Sequence, residues 1–172
     1  MSHFSVLLSR LHAALLGAAL VVGLSGPAAA GENWAVYSAP DYGFSMLVPQ
    51  GVTLVESEGV NGWARLVGTY DGLSLYALTK RGEQASPAEI AAVGIALTGI
   101  PASRWATIDS GENQGGWHWY ETVEASQNGT VIFGGYGTGP SGSYLLLLQT
   151  TESDYNAYRS DYLTWYNSIR LF

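Results

Sequence analysis

The chain contains no cysteine and very little histidine, and these two absences remove several kinds of chemistry. Without cysteine it can form no disulfide, thiol nucleophile, iron–sulfur cluster or cysteine zinc site. The sequence has 3 histidines, and two of them, His3 and His12, lie in the N-terminal segment described next. His118 is the single histidine of the remaining chain. A metal site or catalytic triad in that part would therefore have one imidazole to use.

The N-terminal segment, residues 1–30, has the pattern of a secretory signal peptide. Arg10 precedes an apolar run from Ala13 to Leu24, and Ala28-Ala29-Ala30 provides small residues for cleavage after Ala30. The alternative is an uncleaved membrane anchor, but the run is shorter than the ~20 residues that a spanning helix needs, and Gly26-Pro27 ends it. We therefore predict an exported protein, periplasmic or secreted, without stable membrane insertion after cleavage.

Basic residues are scarce. The chain has 7 Lys and Arg against 14 Asp and Glu, a net charge of −7, and removal of Arg10 with the leader makes the mature protein more negative still. An acidic protein repels nucleic acid and anionic membrane surfaces, so neither is an expected partner. The acidic residues are scattered along the sequence, which is typical of a solubilising surface.

The mature chain has the pattern of an antiparallel sheet. Short apolar stretches alternate with glycine-containing turns, and Asp71-Gly72 and Asn128-Gly129 are favoured two-residue hairpin turns. Strands are expected near 34–38 and 44–49. The continuous apolar run Tyr144 to Leu148 predicts a strand that is buried on both faces. Asn128-Gly129-Thr130 also matches a glycosylation sequon.

Two segments have helical signals. Ser86, Pro87 and Glu89 form a capping box that opens a helix over about 86–100, whose buried stripe runs from Ile90 to Ile100. A second helix is predicted over about 153–169, with Ser153 as its cap and one aromatic face. That face consists of Tyr155, Tyr158, Tyr162, Trp165 and Ile169. The prediction is a single α+β domain over 31–172: an antiparallel sheet of about six to eight strands flanked by two helices, an α/β/α sandwich.

The two ends of the mature chain resemble the PsbP-like superfamily. "YGFSMLVPQG" (42–51) is similar to the family's opening motif, and the closing strand and helix (144–172) are similar to its C-terminal segment. Val52 and Ile169 depart from the tryptophan and phenylalanine that are usual there. The resemblance implies an antiparallel sheet with a helix on each side. It carries over no catalytic residues, and it implies an accessory or adaptor role.

"GGWHWYETVE" (115–124) concentrates the candidate site residues. If the stretch is a strand, Trp117 and Trp119 share one face with Glu121, and His118 lies on the other. The tryptophans are expected to pack in or near the core, and the alternative is an aromatic platform for a flat ligand. His118 could act with Glu121, Glu124 or a carboxylate of another strand as an acid–base pair, although Glu124 on the same strand lies about 20 Å away.

"GGYGTGPSGS" (134–143) is interpreted as a flexible hairpin loop that contacts a partner. It lacks the lysine of a phosphate-binding loop and opens no helix, so a nucleotide site is not expected. Its candidate binding residues are Tyr136, Gly137, Gly139 and Ser141. No calcium loop or metal-ligand motif is present, and no cofactor is predicted.

Three functions follow as hypotheses. The leading one is a non-enzymatic accessory or binding protein of the cell envelope that contacts a protein partner through sheet edges, the Gly-rich loop and exposed aromatic residues. The sequence leaves its oligomeric state open. The second is a small hydrolase or lyase centred on His118 and a carboxylate, which requires an Asp or Glu within hydrogen-bond reach of the imidazole. The third is a small-ligand binder, which requires Trp117 or Trp119 to line a concave pocket.

Overall fold

The structure is a computed structural model that describes residues 33–172. The predicted signal peptide, residues 1–30, lies outside the described residues. No helix within 33–172 is long and apolar enough to cross a membrane.

The described chain forms ten strands and three helices. The strands are β1 Trp34–Ala39, β2 Phe44–Pro49, β3 Val55–Val60, β4 Trp63–Tyr70, β5 Leu73–Arg81, β6 Trp105–Gln114, β7 Trp117–Gln127, β8 Thr130–Gly139, β9 Gly142–Thr151 and β10 Arg170–Leu171. The helices are α1 Pro87–Thr98, α2 Glu152–Ala157 and α3 Arg159–Ser168.

The ten strands form two antiparallel sheets. The large sheet has 7 strands in the order β3-β4-β5-β9-β8-β7-β6, and a sheet of 3 strands has the order β1-β2-β10. The hairpin turns lie where the sequence predicts them. Asp71 and Asn128 adopt positive φ of 43° and 53°, each followed by a glycine that is also in the left-handed region. The α+β class, the antiparallel sheet and the number of strands in the large sheet are confirmed.

Strand β9 lies in the middle of the large sheet, and its apolar run is buried on both faces as predicted. Tyr144, Leu146 and Leu148 belong to a core cluster that is covered by α2, α3 and the small sheet. Leu145 and Leu147 point the other way, into a second cluster that contains Ile90 of α1. Because successive side chains of a strand point to opposite faces of the sheet, this one apolar segment contributes to both cores.

Helix α1 begins where its capping box predicts. The Ser86 hydroxyl accepts a hydrogen bond from the Glu89 amide at 3.2 Å, and Pro87 occupies the first turn. Ile90 and Ile100 are buried. Gly94 permits a close approach, because a Cβ there would lie 2.5 Å from the Trp105 ring. The helix therefore packs directly against the first residue of β6.

The prediction of one C-terminal helix capped by Ser153 is wrong in two respects. Thr151 is the cap, since its hydroxyl accepts from the Asp154 amide at 3.1 Å. The helix also breaks at Tyr158, where φ is −116°. The break leaves Tyr158 54% exposed, outside the predicted aromatic face, while Tyr155 and Tyr162 stack with their ring centroids 5.9 Å apart.

Candidate binding surface

The β6–β7 hairpin carries "GGWHWYETVE", and its two leading glycines form the turn. Gly115 and Gly116 have φ of 61° and 89°. A Cβ on Gly116 would collide with the carbonyl of Leu171, and the Leu171 amide donates to the Gly115 carbonyl at 3.0 Å. The glycines are needed here because the C-terminal strand β10 lies directly against this turn.

The two tryptophans of this segment lie on opposite faces of the large sheet, which corrects the predicted shared face. Trp117 is 5% exposed and packs with Tyr120 and Tyr144 in the core beneath the small sheet. Trp119 is half-buried and packs on the α1 side. The register explains the difference. Pairing between β7 and β8 ends at Trp119 and Thr138, so Trp117 lies beyond the flanking strand and its indole turns into the other core.

On the α1 side, Trp119 forms the wall of a shallow groove. Its ring meets that of Tyr136 edge-on, with centroids 6.1 Å apart and planes at 88°. The groove has a volume of about 250 Å³ and is lined by Ser110, Gly111, Glu112, Trp119, Tyr120 and Glu121. Trp119, one of the predicted binding residues, therefore contributes to a surface depression.

One carboxylate of this groove is held in place by two hydroxyl groups. The Tyr136 hydroxyl donates to Glu121 Oε2 at 2.7 Å, and the Thr107 hydroxyl donates to the same oxygen at 3.0 Å. Burial, and then the hydrogen bond to Glu121, raise the pKa of Tyr136, so its phenol stays protonated and remains a donor. Among residues 33–172 no side-chain hydrogen bond is made to the second oxygen, Oε1.

The opposite face of the same hairpin holds a smaller polar cavity of about 60 Å³. The Tyr120 hydroxyl lies 3.3 Å from both Asp109 Oδ2 and Gln114 Oε1. Nearby, the Thr122 hydroxyl donates to the Tyr166 hydroxyl at 2.8 Å. Burial raises the pKa of Tyr166 to about 12, with a smaller contribution from Tyr120 and Asp109, while the Thr122 hydrogen bond acts in the opposite direction.

His118 takes no part in either depression. Its side chain is exposed and lines neither the groove nor the small cavity. The three ion pairs of the described chain join Lys80 to Glu83 and Glu89, and Arg159 to Glu124, so none of them involves His118. Within residues 33–172 no group of three His, Asp or Glu side chains could hold a metal ion.

The glycine-rich stretch 134–143 is not a flexible loop, which corrects another prediction. Most of it forms strand β8, where Tyr136, Gly137 and Gly139 are buried. Its glycines make room for neighbours: a Cβ on Gly135 would lie 2.6 Å from the Tyr166 hydroxyl, and one on Gly139 would lie 2.7 Å from Leu171. Ser141 occupies the tight turn that follows, and its hydroxyl donates to the Phe172 carbonyl at 2.7 Å.

The feature that sequence reasoning did not identify is which strand forms the open edge of the sheet: it is β6. Among the described residues β6 pairs with β7 alone, and none of its 10 residues is buried, with Ile108 46% exposed. The β6–β7 hairpin carries the acidic residues Asp109, Glu112, Glu121 and Glu124 and no Lys or Arg. The absence of basic residues from 105 to 127 is visible in the sequence, and it could have indicated an acidic surface on this hairpin.

The order and layering of these elements define the class of fold: a PsbP-like α+β fold, as the resemblance implied. A solved structure, the solution structure of cyanobacterial PsbP (CyanoP) from Synechocystis sp. PCC 6803, is similar with a TM-score of 0.56. The similarity covers 87% of this chain and 98% of that chain, at 18% sequence identity. No protein-family model matches the chain, and no curated protein matches it in sequence.

Proposed function

We propose that the mature protein, residues 31–172, is a non-enzymatic accessory protein of the periplasm or cell exterior that acts by binding another protein. The observation that carries the proposal is the open edge of β6 beside the Trp119 groove. An exposed sheet edge presents unpaired backbone N–H and C=O groups that can pair with another chain. The N-terminal signal-peptide pattern supports export.

The test is a cross-linked pull-down of tagged mature protein from the envelope fraction of its own host. We expect one protein to be recovered reproducibly and near stoichiometry. Ile108→Lys places a charge on the β6 edge and should reduce the recovery, because lysine on an edge strand disfavours added strands. Val60→Lys is the matched control, since Val60 is 48% exposed on β3 at the other edge of the large sheet.

Two results would contradict the proposal in different ways. If no partner rises above background, the accessory role is wrong. If a partner is recovered equally with both lysine variants, the role stands and the β6 edge is not its contact. Mass spectrometry of the protein purified from the host also tests export, since cleavage after Ala30 gives a defined N terminus at Gly31.

A small-ligand binder is the second candidate, favoured by the groove along Trp119. Trp117 does not serve this function, since its indole is buried in the core. A thermal-shift screen with sugars and flat aromatic compounds tests the idea. A ligand that stabilises the protein but not its Trp119→Leu variant would support it. The hydrolase or lyase hypothesis gains no support from the geometry of His118, and His118→Ala should leave recovery of the partner unchanged.

A further inference from the structure

The β6 edge is regular enough to receive another strand. A bulge interrupts the pairing of β6 with β7 between Thr107 and Asp109. Beyond the bulge the pairing runs without interruption from Asp109 to Glu112. Along this stretch alternate backbone groups point away from β7, because each antiparallel neighbour uses only half of a strand's donors and acceptors. This stretch offers a short, open and geometrically regular template.

The side chains beside this template are acidic on the face that carries the groove. Glu112 pairs across the strands with Trp119, and Ser110 pairs with Glu121, so two carboxylates flank one indole. Neither Glu112 nor Glu121 takes part in an ion pair within residues 33–172. Glu121 is fixed by Tyr136 and Thr107 through one oxygen. A cation in the groove would meet a carboxylate that is already oriented and an aromatic ring beside it.

These charges determine which occupant fits. A second copy of this chain would bring the same carboxylates to the interface, and like charges that face each other across strands are destabilising. A basic segment has the complementary charge, and its aliphatic stem can lie along Trp119. The edges of the other strands lack this combination: β1 carries no charged residue, and β3 lies beside Arg65 of β4, which pairs with Ser57 and donates to its hydroxyl at 2.6 Å, so a positive charge already lies at that edge.

We infer that the β6 edge binds an extended, lysine- or arginine-bearing segment of the partner protein, which adds to the large sheet as an eighth strand. One basic side chain of that segment lies in the groove between Glu112 and Glu121, over the ring of Trp119. The inference rests on the proposed accessory function and specifies the chemistry of the partner. It predicts binding that weakens as salt is raised, because the charges are near solvent and are screened.

The experiment uses the full chain expressed in its own host, with a photoreactive benzoylphenylalanine placed at one edge at a time. Ile108 probes β6, Val36 probes β1 and Val60 probes β3, and these residues are 46%, 72% and 48% exposed. The expected adduct forms at Ile108, and mass spectrometry of the adduct maps to a segment with Lys or Arg at alternate positions. A synthetic peptide of the mapped segment then serves as the probe for calorimetric titration.

Three variants separate the charge contribution from a general effect on the fold. Glu112→Gln and Trp119→Leu should each weaken peptide binding about two- to fivefold, the loss expected for one partly exposed ion pair or cation–π contact. Glu58→Gln removes the same charge from β3 and should leave the affinity unchanged. Replacing the basic residues of the peptide by Glu should abolish binding.

Each outcome has a distinct meaning. No adduct at any of the three positions means that the proposed function is wrong, and the inference is wrong with it. An adduct at Val36 or Val60 but not at Ile108 keeps the function and overturns the inference. An adduct at Ile108 also overturns it if the mapped segment lacks basic residues or if Glu112→Gln and Glu58→Gln have the same effect.

Discussion

The hydroxyl of Tyr166 offers a quantitative test of how α3 is joined to the large sheet. The Tyr166 ring lies against Gly135 and meets the Phe133 ring with centroids 5.7 Å apart. Its hydroxyl accepts the Thr122 hydrogen bond at 2.8 Å, and Thr122 is 3% exposed. Tyr166→Phe keeps the ring and removes the acceptor. Because a buried donor is then left without a partner, we expect the free energy of unfolding to fall by about 1–3 kcal/mol near pH 8.

The effect of this substitution should depend on pH in a definite direction. Burial raises the pKa of Tyr166 to about 12 in the folded chain, against about 10 in the unfolded chain. The unfolded wild type therefore releases this proton first, and stability falls as pH rises from about 10 towards 12. At pH 10.5 the wild type has lost about 0.8 kcal/mol of unfolding free energy in this way. Tyr166→Phe has no phenol at this position and does not lose it. The difference in unfolding free energy between the two proteins should shrink by that amount.

Urea unfolding at pH 8 and at pH 10.5 measures both quantities. Sucrose at one fixed concentration in every sample raises the stability of both proteins at both pH values. The tyrosines that are distant from Tyr166 contribute equally to the two proteins, so they cancel in the difference between them. Tyr158→Phe is the control for loss of an exposed hydroxyl and should not change stability at pH 8. A difference between wild type and Tyr166→Phe that is the same at both pH values would refute the reasoning.

Three further predictions concern stability. Leu146 on the central strand is 0% exposed, and Leu146→Ala should lower the free energy of unfolding in urea by about 2–5 kcal/mol. Leu163 is 42% exposed, and a larger loss for Leu163→Ala than for Leu146→Ala would contradict the assigned core. Gly99→Ala should lower the free energy of unfolding by about 1–2 kcal/mol, because Gly99 ends α1 in the left-handed region at φ 71°. A Cβ there would meet no atom within 4 Å, so the cost is conformational. An unchanged melting temperature would count against this prediction. Tyr136→Phe removes a hydrogen bond to the Glu121 carboxylate and should cost about 1.5–3 kcal/mol by the same assay, whereas a neutral effect would mean that the bond contributes nothing.

The candidate surface could be predicted from the sequence only in part. Trp119 and Tyr136 were identified as candidate residues, and the structure places their rings in contact. Strand alternation predicted that Glu121 shares a face with Trp119, but its contact with Tyr136 could not be predicted, because that requires β7 and β8 to pair in one particular register. Nor could it show that β6 lies at the edge, since strand order depends on which hairpins pair across the sheet. Pairing of β5 with β9 determines that order, and it joins segments that are far apart in the chain.

Local physical chemistry was enough to determine the elements whose signals are contained in a few neighbouring residues. The cap at Ser86, the turns at Asp71-Gly72 and Asn128-Gly129, and the doubly buried run of β9 follow from hydrogen-bonding groups, accessible φ angles and apolar content. The tertiary structure decided the features that depend on distant partners. The glycines of 134–139 form a buried strand because Tyr166 and Leu171 occupy the space that side chains would fill. Trp117 turns into the opposite core because the pairing of β7 with β8 ends at Trp119. Glycine has a weak strand preference of its own, so only these long-range contacts could make that segment a strand.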